Sequence, residues 1–341
     1  MATSVKHVAK YLLFLGFGAG LLYLAFRNTN LHQMLLDLKN ANYYWVGVSL
    51  AVSFLAYVIR AHRWNMLIKP LGYAPKLKNT LASLMVGYLA NLAVPRIGEI
   101  SRAEALARAE KIPFNLLIGT VISERVVDLI MLCLVLLLTA ILKMKVLGNF
   151  ILQKIIYPFK NTMYSSLHNI NFILIALSVI LCFTLLLIFL WKKQNAKAAK
   201  SLKKLLIGIK EGVVSIKNVE SKFWFVFHTF LIWIIYFLTS YICFFAIPAT
   251  TGLGIVAGIF TVAIGGIGMS APVQGGIGTY HLMISIGLTL FGITLKDGNT
   301  YATIVHTSQT LLVLIAGAVS ILFLFLANRN PANDISSNNT K

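Results

Sequence analysis

The chain has 341 residues, 58% of them hydrophobic and only 12% charged, with a mean hydropathy of +0.81. A soluble domain carries about a quarter charged residues, so a soluble globular protein is excluded and a polytopic helical membrane protein is indicated. The net charge of +20 is read as membrane orientation and attraction to anionic lipid, not nucleic-acid binding, because the sequence shows no basic soluble domain to carry that.

The apolar runs are continuous rather than alternating, which argues against an outer-membrane barrel. The chain starts with Lys6 and Lys10, followed by an apolar run over 11–26 that reads as a retained first helix with its N-terminus in the cytoplasm. Further crossings are expected at 44–59, 126–142, 172–191, 223–247 and 302–327. Two apolar stretches fit poorly as crossings. Residues 81–94 form a short run ending in Pro95, and residues 253–269 are glycine-rich and lead into Pro272. Short hydrophobic segments interrupted by Gly and Pro mark broken or re-entrant helices. The expected fold is therefore all-α, a polytopic bundle with about six full crossings and two re-entrant elements, the first dipping in from the cytoplasm and the second from outside. With this path, Lys and Arg concentrate in segments 1–10, 60–80, 95–112, 192–222 and 328–341, which places both termini in the cytoplasm. Arg60, His62, Arg63 and Trp64 are expected to cap the second helix at the cytoplasmic interface, where snorkelling and an aromatic belt explain them.

Segment 192–222 is lysine-rich, with Leu202, Leu205, Leu206, Ile209, Val213 and Ile216 at helical spacing. It reads either as an amphipathic helix on the inner leaflet or as a solvated connector. Residues 1–327 are expected to form one membrane domain and 328–341 a polar, disordered tail. The three cysteines, Cys133, Cys182 and Cys243, lie inside apolar runs without CxxC spacing, as small residues of packed helices.

Three constellations carry the polar chemistry. In the first, Asn91 precedes Pro95, Arg96, Gly98, Glu99 and Arg102. A proline ends a half-helix, a glycine permits a sharp turn, and charges follow at once, with Glu99 and Arg102 spaced to pair on one face. Charges beside a helix break at membrane depth need each other, water or a polar ligand. The functional reading is a head-group site in a water-filled vestibule; the alternative is a solvated loop. The second is Glu124-Arg125-Val-Val-Asp128 inside an apolar run. Its carboxylates share a helical face and are placed to pair with Arg96 or Arg102, as part of a site or as a structural ion network. The third joins Pro272, Gln274, Gly275, Gly276, Gly278 and His281, where exposed backbone N–H groups suit an anion or the break simply serves packing. His306 and Gln309 share a face of the last helix, as a proton relay or as hydrogen-bonded neighbours. No catalytic set, metal-ligand cluster, nucleotide-binding motif or cofactor site emerges, so the chain is not expected to be an enzyme.

Taken in order, these motifs resemble the lysylphosphatidylglycerol synthase transmembrane region, or flippase-like domain family, over roughly residues 10–327. The resemblance implies a membrane domain that moves a lipid between leaflets; in two-part members a soluble aminoacyl transferase domain makes that lipid, and this chain is expected to be a stand-alone relative without it. Pro95, Arg96, Glu99, Arg102, Arg125 and Asp128, with Gly275, Gly276 and Gly278, become candidate site residues. Gln274 stands where the family often has proline, and His281 where it often has an acid. This departure turns expectation from a cationic head group toward an anionic one, such as a phospholipid or polyprenyl phosphate. The expected function is a lipid translocator of the cytoplasmic (inner) membrane, running downhill or coupled to an ion gradient. The alternatives are a membrane component of a lipid-linked glycosyl or aminoacyl transferase system and a non-transporting envelope scaffold. Membrane lipids are the expected partners, and small-residue faces permit a homodimer.

Overall fold

The computed structural model describes residues 39–142 and 214–329, together with Leu36 and Ile207. The expected first helix at 11–26, the crossing at 172–191, most of the basic segment 192–222 and the tail beyond Arg329 lie outside the described residues. Described residues 39–137 and 214–329 belong to one compact unit.

The described residues are helical, with no strand among them. Helix α1 spans Tyr43–Ile68, capped by Asn42, whose side chain accepts the Tyr44 N–H at 3.1 Å. It runs well past residue 59, and this extension carries Arg60, Arg63 and Trp64 into the bundle. Helix α2 is Leu77–Ala93, α3 Gly98–Glu110 and α4 Phe114–Leu142. Helix α5 covers Lys222–Ile242, α6 Ile255–Ser270, α7 Thr279–Thr289 and α8 Leu295–Arg329. Among the described residues, four segments are long and apolar enough to cross a membrane: Tyr43–Leu71, Phe114–Leu142, Lys222–Ala246 and Leu295–Ala327. Helix α4 begins twelve residues before the expected crossing at 126–142, so Glu124 and Arg125 belong to the spanning helix itself. Of the cysteines described, Cys243 is buried, whereas Cys133 is exposed on α4 and does not pack inside the bundle.

Both awkward apolar stretches are helical hairpins, and both break for the same reason. The residue before a proline is pushed out of helical geometry. Val94, before Pro95, is extended (φ −135°, ψ 127°), as is Ala271 before Pro272 (φ −62°, ψ 148°). After the first break Arg96 adopts a left-handed φ of 61°, and α3 turns back along α2. A Cβ on Gly98 would overlap the Gly87 carbonyl oxygen, and one on Gly87 would stand 2.8 Å from Arg102 Cβ, so two glycines set the close approach of α2 and α3. At the open end of this hairpin Glu110 accepts hydrogen bonds from the Lys76 N–H at 2.8 Å and the Asn79 amide at 2.7 Å.

Direction follows from cross-helix bonds. Helices α1 and α5 run antiparallel: Ser49 donates to the Thr239 carbonyl at 3.0 Å, and Arg63 reaches Thr229 at 3.2 Å. The C-terminal end of α1 therefore shares one end of the bundle with the start of α5, where Lys69 pairs with Glu220 at 2.6 Å. The other end holds the Asn42 N–H to Ala246 carbonyl bond of 2.8 Å. Hairpin α2–α3 opens at the first end. Hairpin α6–α7 follows the C-terminus of α5, so it opens at the opposite end. Among the described residues the order long helix, hairpin, long helix thus occurs twice in opposite directions, α1 to α4 and then α5 to α8, the inverted arrangement of many carriers.

Candidate functional site

The two hairpin tips meet inside the bundle. Arg96 Nη2 donates to the Ser270 carbonyl oxygen at 2.6 Å, joining the first tip to the end of α6. A Cβ on Gly275, whose φ is +54°, would stand 2.8 Å from Leu92 Cδ2. Gly275 also accepts a 2.7 Å hydrogen bond from His306 Nε2 on α8, so the long helix of the second half holds its own hairpin tip. His306 packs edge-on against His281 with ring centroids 5.0 Å apart, and Gln309 donates to Ser53 of α1 at 2.8 Å.

Beside this junction lies a cavity of about 870 Å³ lined by residues of all eight described helices. One wall presents Arg60, Arg96, Glu99, Arg125 and Asp128; the other presents Tyr280, His306, Gln309 and the backbone of Gly275 and Gly276. Tyr57, Tyr88, Trp233 and Tyr236 add an aromatic rim. Asn91 lines the cavity and caps α3, accepting the Gly98 N–H at 2.7 Å.

Behind the charged wall is a buried ion network. Glu124 is fully buried and takes Arg102 at 2.8 Å, Arg60 at 2.5 Å and Arg63 at 3.4 Å. Asp128 pairs with Arg60 and, at 2.7 Å, with Arg63. Arg60 also donates to the Tyr236 hydroxyl at 2.8 Å. Arg125 stands 3.6 Å from Glu124, 3.8 Å from Asp128 and 4.0 Å from Glu99. Arg102 lies over the Trp64 ring, 4.8 Å from its centroid. Buried charges survive only when paired in this way.

Several expectations change. Arg60, Arg63 and Trp64 do not snorkel at an interface: they are 4%, 0% and 0% exposed and belong to the network. Their signal in the sequence is the continued helical spacing of Ala61, Trp64, Leu67 and Ile68 beyond residue 59. Glu99 faces Arg125 rather than Arg102, because Arg102 is committed to Glu124. Arg96 does not pair with Glu124 or Asp128; it spans to the second tip. Of the sequence-selected residues, Asn91, Arg96, Glu99, Arg125, Asp128, Gly275 and Gly276 line the cavity. Arg102 and Glu124 are sealed behind it, and Gln274 and His281 are buried in the second tip. Pro95, Gly98, Pro272 and Gly278 shape the turns, Gly278 with a φ of +82°. Among the described residues, no group of three or more metal-ligating side chains is brought together.

Comparison with known proteins agrees with a membrane protein. A UPF0104 membrane protein of Methanocaldococcus jannaschii is 35% identical over 101 residues, 29% of this chain and 30% of that protein. The chain thus aligns with under a third of that relative's length. No solved structure gives a match. The family model described as lysylphosphatidylglycerol synthase TM region matches residues 8–317, and with nearly the whole chain covered, the protein belongs to that family.

Proposed function

We propose that this chain is a carrier that moves a lipid with an anionic head group, a phospholipid or a polyprenyl phosphate, between the leaflets of the cytoplasmic membrane. The head group passes through the central cavity while its tails stay in the bilayer. The carrying observation is the charge of the cavity and the network behind it. Arg60, Arg63, Arg96, Arg102 and Arg125 stand against Glu99, Glu124 and Asp128, a surplus of cations at a depth where unmatched charge is costly. Among the described residues no carboxylate pairs with Arg96, which donates to the neutral Ser270 carbonyl. An anionic group would complete the balance. The hairpins converging from opposite ends support the same reading, since carriers place substrate between such broken helices. The end carrying Lys69, Lys76, Lys78, Lys111, Lys217 and Lys222 is taken as cytoplasmic by the positive-inside rule.

The test is lipid scrambling by the purified protein in liposomes, using fluorescent phosphatidylglycerol and phosphatidylcholine. Wild-type protein is expected to prefer the anionic probe, and Arg96→Ala and Arg125→Ala to slow its transfer at least about tenfold. That corresponds to about 1.4 kcal/mol of lost interaction. Equal rates for both lipids and for both variants, at matched reconstitution, reject the reading.

A further inference from the structure

On the outward side of α3 and α4 runs a second concavity, an apolar groove of about 350 Å³. Its floor on α4 is one helical stripe, Ile118, Ile122, Val126 and Leu129, and its side wall is Ile100 of α3. Outward apolar surface is ordinary in a membrane helix. This groove differs because it ends on charge: Glu99 and Arg125 line both the groove and the central cavity.

That pair is loosely made. Its closest approach is 4.0 Å, against 2.5–2.8 Å for the strongest contacts of the network behind it. Glu99 Oε2 and Arg125 Nε are buried and make no hydrogen bond. Two half-exposed charges, each with an unsatisfied polar atom, thus form the boundary between lipid-facing hydrocarbon and a polar cavity. Such groups are expensive unless something polar comes to meet them.

We infer that the α3–α4 groove seats an acyl chain of an anionic phospholipid, and that the Glu99–Arg125 pair is the doorway through which its head group reaches the cavity. This rests on the carrier reading and adds the route to it. The stripe continues on both sides of Arg125, with Ile118 and Ile122 toward one end of the bundle and Val126 and Leu129 toward the other. A chain therefore keeps apolar contact whichever way it points while its head group is inside. The anionic phosphate would displace Glu99 from Arg125, and the carboxylate would turn to the solvated cavity.

The experiment is photo-cross-linking of the full chain in phosphatidylcholine vesicles, with phosphatidylglycerol bearing a diazirine in mid-chain as the probe. Adducts are mapped by mass spectrometry. Labelling is expected to concentrate on Ile118, Ile122 and Val126, to be competed by unlabelled phosphatidylglycerol but not by phosphatidylcholine, and to fall at least about fivefold in Ile122→Trp and Val126→Trp. Both variants alter exposed or half-exposed outward positions and leave the buried network intact. Labelling spread evenly over the outward faces of α4 and α8, or unaffected by competition, overturns the groove. Scrambling measured on the same vesicles separates the two claims. Transfer without groove labelling removes the route and keeps the carrier; groove labelling without transfer removes the carrier and keeps the lipid site.

Discussion

Glu124 is the residue on which the first half turns. It has no exposure and meets Arg60, Arg63 and Arg102 at once. Removing one member of a buried ion cluster leaves its partners charged and unpaired, at a cost of about 3–5 kcal/mol. Glu124→Gln is therefore expected to lower the thermal unfolding midpoint in detergent sharply, whereas Glu104→Gln, which breaks only a surface pair with Arg108, is expected to leave it nearly unchanged. A fluorescence-detected melting series checks both. The sequence made Glu124 and Asp128 visible because charge inside an apolar run has few explanations. It hid Arg60 and Arg63 because basic residues at the apparent end of a crossing look like interface anchors. Only the length of α1, set by packing of Trp64 and Leu67, distinguishes an anchor from a buried partner.

At the scale of the element, the hairpins were legible and their contacts were not. Proline after a short apolar run announces a break, and the extended geometry of Val94 and Ala271 follows from it. Which glycines bring the limbs together depends on three-dimensional approach. Gly87 and Gly98 lie on separate helices and touch through backbone. Gly98→Ala is expected to prevent closure of α2 on α3 and to lose the monodisperse peak in size-exclusion chromatography. Gly252→Ala, with nothing within 4 Å of the added Cβ, is expected to elute as wild type. Helix boundaries were the other weak point, since an apolar window cannot tell that α4 begins at Phe114 with Glu124 and Arg125 already inside it.

For the whole molecule, the inverted order of long helix, hairpin and long helix brings the two tips together inside the bundle, and under the proposed carrier function this meeting would be the barrier between its two ends. Leu92 and Gly275 form that meeting. In a background with the three native cysteines replaced by alanine, Leu92→Cys with Gly275→Cys is expected to form a disulfide. The Cβ at 275 would lie 3.9 Å from the Leu92 Cα, within reach of such a bond. Oxidation is expected to stop lipid transfer and reduction to restore it; transfer that continues in the cross-linked protein would show that the tips need not part. This arrangement could be anticipated from the sequence only as two interrupted segments, because no residue pattern relates the two halves.

The halves are also unequal in how they are fastened. The first is tied by arginine–carboxylate pairs, the second by neutral bonds such as His306 to Gly275 and Tyr301 to the Ser240 carbonyl at 2.7 Å. Neutral hydrogen bonds contribute about 1 kcal/mol each, well below the cost of breaking a buried ion cluster. If one half swings while the other stands as an anvil, the swinging part is α6–α7. Amide hydrogen exchange of the membrane-embedded protein should then run faster through residues 255–289 than through 77–110.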